Sequence, residues 1–329
     1  MPGESRPTDL RQCADAVLMV RPAAFGFNAE TEASNRFQQR GAATAGALER
    51  AIAEFDGLER GLREAGVESI ALADRPDTAS RDGVFPNNCA SFHADGTVVL
   101  YPMLAPSRRR ERRMDLLLEL EQHGGFEVER LLDLSHHEMS GRFLEGTGSV
   151  VFDHPGRIAY ACLSPRTDAR VLAELCAELG YQSCVFEASD AAGVPVYHTN
   201  VVLSIGSRSA VVCAEAVAAA DRSMLMERLA AGGRAVVSID RRQMSSFAGT
   251  VLELRARGGD RVLAMSARAL ASLAGDGLDT LQQSVDHVVA VPVPTIEDLG
   301  GGSVRCMLAE LFLPRRPATS ATGEPAGGR

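Results

Sequence analysis

Short apolar runs separated by polar, glycine-bearing loops recur along this chain: VLMV at 17–20, TVVLYPM at 97–103, SVVF at 149–152, NVVLSIG at 200–206, AVVSI at 235–239, VLEL at 251–254 and VVAVPVP at 288–294. Runs this short, rich in β-branched residues and bounded by turn formers, predict strands. Between them, apolar residues at three- and four-residue steps predict helices over 42–65, 108–123, 167–180, 223–231 and 266–274. In the second of these, Leu116, Leu117 and Leu120 make a stripe suited to burial. The alternation of the two periods is that of an α/β protein.

A coarser repetition appears when the loops ahead of the strands are aligned: FPNN at 85–88, LEGTG at 144–148, YHTN at 197–200, FAGT at 247–250 and GGSVRC at 301–306. Their spacing of about 50–60 residues is a period of repeated supersecondary units. Any chain that alternates strand, turn and helix could show it. The loops' chemistry is more telling, because Asn-Asn, Glu, His-x-Asn and Cys fall on different repeats. Radially arranged units, each lending a side chain to one central site, would produce that distribution, and their closure would leave no sheet edge exposed.

An apolar share of 45% in 329 residues is ample for a sizeable core. The ends differ: residues 1–14 and the tail 315–329 are polar and rich in Pro, Gly and Ser, so a flexible N-terminus and a disordered C-terminal tail are expected around one catalytic domain at 15–314. Thirty-four basic against 43 acidic residues give a net charge of −9, which disfavours nucleic acid as a partner and points to a small molecule. Seven cysteines without C-x-x-C spacing suit a reducing compartment, and no apolar run approaches the roughly 20 residues that span a bilayer, so a cytoplasmic protein without membrane contact is expected. Self-association into a homo-oligomer stays open.

Two motifs invite a reading that their context does not support. GTG at 146–148 lacks the third glycine and the following helix of a dinucleotide loop. HHE at 136–138 lacks the i, i+4 histidine spacing that puts two imidazoles on one helical face, so it is expected to be a solvated loop, with no metal site. A cysteine with a histidine is the remaining catalytic option, since a thiolate needs only a lowered pKa and a proton shuttle. Cys162, Cys176, Cys184 and Cys213 lie in apolar settings that suit small buried hydrophobes. Cys306 follows LGGGSVR, whose glycines let backbone approach a ligand and whose Arg305 favours thiolate; a free cysteine after a flexible turn is the alternative.

The segments VLMVRPAAFGFNAET (17–31), DGVFPNN (82–88), YPMLAPSRRRERR (101–113), FLEGTGSVVFD (143–153), LSPRTD (163–168), YHTNVVLSIG (197–206), FAGTVLEL (247–254) and GGGSVRCMLAELFLP (300–314) resemble, in order, the motifs of amidinotransferase-like citrulline hydrolases. These belong with arginine deiminases, dimethylarginine hydrolases and succinylarginine dihydrolases in the pentein superfamily. The resemblance runs from about Val17 to Pro314 and implies a five-bladed α/β propeller of ββαβ units with pseudo-fivefold symmetry. It implies Cys306 as nucleophile, His198 as acid/base and Glu145 as the carboxylate partner of the histidine. It also places Arg166 and Arg108 on the substrate's α-carboxylate, with Arg109 or Arg110 as alternatives to the latter, and makes the loop holding Phe25 and Asn28 a substrate lid.

Where relatives carry two aspartates that grip a guanidinium, this chain has Asn88 and Asn200. An uncharged ureido group offers a carbonyl and N–H donors, which an amide can meet at both ends, whereas unpaired carboxylates beside a neutral ligand would be costly to desolvate. Succinylarginine dihydrolases nevertheless combine an Asn at the first position with a guanidino substrate. The resemblance thus implies a hydrolase that attacks the ureido carbon of citrulline without any cofactor, giving ornithine, ammonia and carbon dioxide. An arginine or methylarginine deiminase, a dihydrolase, an amidinotransferase and a silent binding propeller are the alternatives. Cys89, where relatives have Trp, and Thr250, where they have Asn, are further departures expected to alter pocket shape.

Overall fold

Strand β1 (Ala16–Arg21) is buried along all but its last residue and pairs in parallel with β2 (Glu68–Ala73). The chain reaches β2 through the helix Ala47–Glu64, whose Ala47, Ala51, Phe55, Leu58 and Leu62 are buried at the three- and four-residue steps seen in the sequence. A computed structural model describes residues 11–42, 44–77, 80–122 and 124–316. Among them, four further units repeat one plan. β3 (Ala90–Phe92), β4 (Thr97–Leu100) and β5 (Arg130–Asp133) form one sheet, and β6 (Val151–Asp153), β7 (Ile158–Cys162) and β8 (Gln182–Phe186) the next. They are followed by β9 (Leu203–Ile205), β10 (Ser209–Val212) and β11 (Ala235–Ser238), then by β12 (Leu252–Arg255), β13 (Arg261–Ser266) and β14 (His287–Val291).

In each the first strand is antiparallel to the second, and the third is parallel to the second after a helical crossover. Strand β15 (Ala309–Glu310) returns from the C-terminal end to lie antiparallel to β1, so the first sheet takes strands from both ends of the chain. The architecture is therefore α/β with small mixed sheets. First strands touch one another across units, β3 against β15, β6 against β9 and β9 against β12. The core is shared likewise: Phe55, Leu58 and Leu62 cluster with Leu254, Val262 and Val289 of a neighbouring unit, because a three-stranded sheet with one helix cannot bury its apolar face alone.

Several boundaries differ from the sequence pattern. TVVLYPM leaves its sheet after Leu100, because Pro102 has no N–H for a ladder and the Met103 N–H goes to Glu138 Oε1 at 2.8 Å. The helix expected at 108–123 divides into a 3-10 turn, Pro106–Glu111, and the helix Met114–Gln122, separated by Arg112 and Arg113. The first half of NVVLSIG is a helical turn, and only Leu203–Ile205 is strand. Gln12, within the N-terminal stretch, is buried, donating to the carbonyls of Phe152 (2.9 Å) and Ile205 (3.0 Å) and accepting from the His154 N–H (3.0 Å). Residues 1–10 and 317–329 lie outside the described part. No described helix is long and apolar enough to cross a membrane.

Candidate active site

Four single helical turns, Pro86–Asn88, Gly146–Ser149, Thr199–Val202 and Val304–Met307, stand immediately before first strands. The strand contacts bring these turns together, the second against the first and third, and the first against the fourth. The glycines of LEGTG permit this approach. Gly146 has φ +48°, and a Cβ there would lie 2.1 Å from the Asn87 carbonyl oxygen. A Cβ on Gly148 would lie 2.5 Å from Asn88 Nδ2 and 2.6 Å from His198 Nδ1. Close packing of turns is thus what that motif's glycines serve.

Glu145 and His198 cap two of these turns and meet: His198 Nε2 is 2.9 Å from Glu145 Oε2, and neither residue is more than 2% exposed. The same carboxylate oxygen accepts from Arg166 Nη1 at 3.2 Å and faces Arg108 Nη1 at 3.6 Å, while Oε1 accepts the Leu104 N–H at 3.1 Å. Burial alone would raise the Glu145 carboxyl, but Arg166, the His198 hydrogen bond and Arg108 together hold it well below the usual carboxylate range. Burial also pushes the His198 imidazole down to about 4 against the pull of Glu145. At neutral pH this is a neutral histidine whose Nε2 proton points to Glu145, leaving Nδ1 for proton exchange.

Cys306 is 3% exposed, and its Sγ accepts a hydrogen bond from Asn200 Nδ2 at 3.6 Å. Burial pushes the thiol up from its ordinary value, opposed by the Ser303 backbone, Arg305, Asn200 and Arg108. Among the described residues no hydrogen bond joins Cys306 and His198. They line one tight cavity of about 10 Å³ together with Asn88, Arg108, Arg166 and the glycines 300–302. The thiol and the imidazole thus border one shared space.

Of the three consecutive arginines, Arg108 alone lines the cavity. Its fork is taken by Glu111, Nε to Oε1 at 3.0 Å and Nη2 to Oε2 at 2.8 Å, and Nη2 also reaches Asn88 Oδ1 at 3.1 Å. Arg109 bonds the Met103 carbonyl and Glu138, and Arg110 is exposed. Arg166 packs over the Tyr197 ring and donates to Ser34 Oγ from Nε (2.9 Å) and Nη2 (2.8 Å) and to the Thr31 carbonyl (3.1 Å). Both guanidinium groups therefore face protein acceptors.

Segment 25–38 covers the glycine run. Asn35 Nδ2 donates to the Gly300 and Gly301 carbonyls at 3.3 and 3.2 Å, and Gln38 Nε2 to that of Leu299 at 3.1 Å. Phe25 is half-buried, with its ring near Gly300, and Asn28 caps the turn Ala29–Glu32; neither lines the cavity. Asn28 Nδ2 instead holds Asp82 Oδ2 at 2.6 Å, and Asp82 does line it, with Arg108 at 3.8 Å. Sequence reasoning missed Asp82, Tyr197, Thr31 and Asn35 as wall residues. Asp82 and Tyr197 stand inside quoted motifs, yet nothing in a motif says which way a side chain points. Cys89 is buried beside Glu111, its thiol pushed up to about 12 by burial, and Thr250 Oγ1 is buried without a hydrogen-bond partner among the described residues, as is Asn200 Oδ1. Cys162, Cys176, Cys184 and Cys213 are buried free thiols.

A repeated α/β fold of mixed sheets around a buried thiol, imidazole and carboxylate is that of a hydrolase acting on C–N bonds other than peptide bonds. The chain belongs to the N,N dimethylarginine dimethylhydrolase (eukaryotic) family, whose profile matches residues 21–313. No curated protein matches it at a significant level. Among solved structures it is similar to the substrate-bound N-terminal domain of ArgZ, an arginine dihydrolase of the ornithine–ammonia cycle in cyanobacteria, at 16% identity and TM-score 0.69, covering 91% of this chain and 99% of that one. AgrE in binary complex with L-arginine matches at 18% identity and TM-score 0.70, over 92% of this chain but 41% of that longer one. An adduct of dimethylarginine dimethylaminohydrolase with S-methyl-L-thiocitrulline matches at 14% identity and TM-score 0.61, over 91% and 100% of the two chains.

Proposed function

We propose that the five units stand radially as the blades of a propeller, and that the cavity at their common end hydrolyses the ureido group of citrulline. The carrying observation is the pair of atoms beside the thiol. Asn200 offers Nδ2 to Cys306 Sγ at 3.6 Å while its Oδ1 is buried without a partner among the described residues, an acceptor that a ligand N–H beside the thiol would satisfy. A neutral ureido group supplies N–H donors to that oxygen and brings no charge that an amide would fail to balance.

In this reading Cys306 Sγ attacks the ureido carbon, its proton passing to His198 and on to the departing ammonia. An S-carbamoyl intermediate carrying the ornithine side chain remains. His198 then takes a proton from water as the water displaces the thiolate, and the released carbamate loses carbon dioxide to leave ornithine. Glu145 keeps the imidazole oriented, and amide donors such as Asn88 Nδ2 stabilise the oxyanion. For Arg166 to take the α-carboxylate it must exchange Ser34 for the ligand, and Arg108 orders Asn88 from behind.

A second reading, an arginine dihydrolase, is favoured by Asp82, whose carboxylate lines the cavity and could meet a guanidinium. Incubating the purified enzyme with citrulline, arginine, methylated arginines and succinylarginine separates the two. Citrulline should yield ammonia and ornithine in equal amounts, and arginine twice as much ammonia as ornithine. Citrulline turnover undiminished in Cys306→Ala would sink both.

A further inference from the structure

Outside the cavity, the 3-10 turn Ser135–Ser140 brings two imidazoles together: the rings of His136 and His137 lie 4.2 Å apart, inclined by 33°. The i, i+4 argument for helices does not govern here, because the tight turn lets adjacent residues face one partner. That partner is Glu174, on the helix Ala169–Leu179 of the next unit. His137 Nε2 is 2.8 Å from Glu174 Oε2, and His136 Nε2 is 4.0 Å from Oε1. All three groups present a ligand atom within 4.8 Å of the others.

The His136 contact is the informative one. Its Nδ1 lies 3.2 Å from the Asp133 carbonyl oxygen, which accepts that nitrogen's proton and leaves Nε2 as the ring atom that faces the carboxylate. At 4.0 Å the nitrogen and the carboxylate oxygen are too far apart for a direct hydrogen bond, and one cation between them would bridge the gap. Zinc–nitrogen and zinc–oxygen bonds of roughly 2.0–2.2 Å at a tetrahedral angle hold two such atoms ~3.4 Å apart, so the exposed His136 ring closes in by about half an ångström on binding. A backbone carbonyl on the far nitrogen is also the usual outer partner of a metal-bound histidine. His137 becomes a ligand by moving its proton from Nε2 to Nδ1, which is free of hydrogen bonds among the described residues.

We infer that His136, His137 and Glu174 bind a divalent transition metal of the zinc type, with water completing the coordination on the exposed side. Two imidazoles and a carboxylate suit zinc or its neighbours over magnesium or calcium. The metal would fasten the turn after β5 to the helix after β7. The same turn carries Glu138, which holds the Met103 N–H at 2.8 Å and Arg112 Nη1 at 2.6 Å, so the site braces the loop that carries Arg108.

The test titrates Zn²⁺ against a chromophoric competitor in a Cys306→Ala background, which removes the cavity thiol as a rival ligand. One equivalent should bind, and His136→Gln and Glu174→Gln should each weaken it at least tenfold. Zn²⁺ should raise the thermal midpoint of the parent relative to EDTA, Mg²⁺ should not, and the variants should show the parent's midpoint in EDTA without the rise. The proposal is overturned if the parent binds no Zn²⁺, as a protonated His136 simply paired with Glu174 would give. Binding unchanged in Glu174→Gln would overturn it as well.

Discussion

Glu145 and His198, 53 residues apart in the chain, share a 2.9 Å hydrogen bond at the junction of two helical turns, with both side chains withdrawn from solvent. The bond fixes the imidazole, while burial keeps it neutral. A proton added to His198 therefore has to be accommodated in a site already holding two arginines.

That has a pH consequence with a definite sign. The folded pKa of His198, about 4, lies below its ordinary 6.5, so the unfolded chain takes up the proton first and stability falls as pH drops through that window. Urea unfolding of wild type and His198→Gln between pH 7 and 4 should show the wild type losing stability relative to the variant on acidification. A constant difference would contradict it.

Cys306 should behave as a thiol, not a thiolate, in the free enzyme, because burial holds its pKa above the ordinary 9.0. Alkylation of Cys306 by iodoacetamide, followed by peptide mass spectrometry, should accelerate with pH beyond 9 and show no plateau near neutrality.

Asn200→Asp places a charge where the amide meets the thiol. Selectivity should move toward guanidinium substrates, the ratio of kcat/KM for arginine to that for citrulline rising roughly tenfold or more, the scale of one hydrogen bond to a charged group at about 1.5–3 kcal/mol. The thiol should also titrate higher, since a like charge opposes its ionisation.

Gly148→Ala drives a methyl group to 2.5 Å from Asn88 Nδ2 and 2.6 Å from His198 Nδ1. Overpacking at this junction should cost about 1–3 kcal/mol in urea unfolding and lower kcat by displacing His198. Full activity would mean that the turns have more freedom than their contacts indicate.

Asn35→Ala removes two hydrogen bonds from segment 25–38 to the glycine run. KM should rise with a smaller effect on kcat, since the change loosens a cavity wall without touching Cys306, His198 or Glu145. A loss confined to kcat would assign Asn35 a part in the chemistry.

Much of the architecture was legible because the inner strands are apolar and follow polar turns of recurring spacing. VLMV, SVVF and VLEL overlap β1, β6 and β12, and the helices at 47–64 and 169–179 sit within the expected ranges. The outer strands β2, β5 and β8 were harder to read, since their partly exposed faces mix Glu, Ser, Arg, Asp and Gln into the run. The composition of the candidate site was legible too, since its residue types stand on successive turn motifs.

What a linear pattern carries is local: which residues can turn, which must be buried, and which side chains have the chemistry of a nucleophile or a base. Which atoms face each other was settled by packing between units, where a contact spans 106 residues for Asn200 and Cys306 and 132 for Arg166 and Ser34. The occupied fork of Arg166, and the meeting of His136 and His137 with Glu174, arise there. Side-chain direction depends on neighbours that strand spacing does not encode, because it is the burial of shared apolar faces that sets how one unit lies against the next.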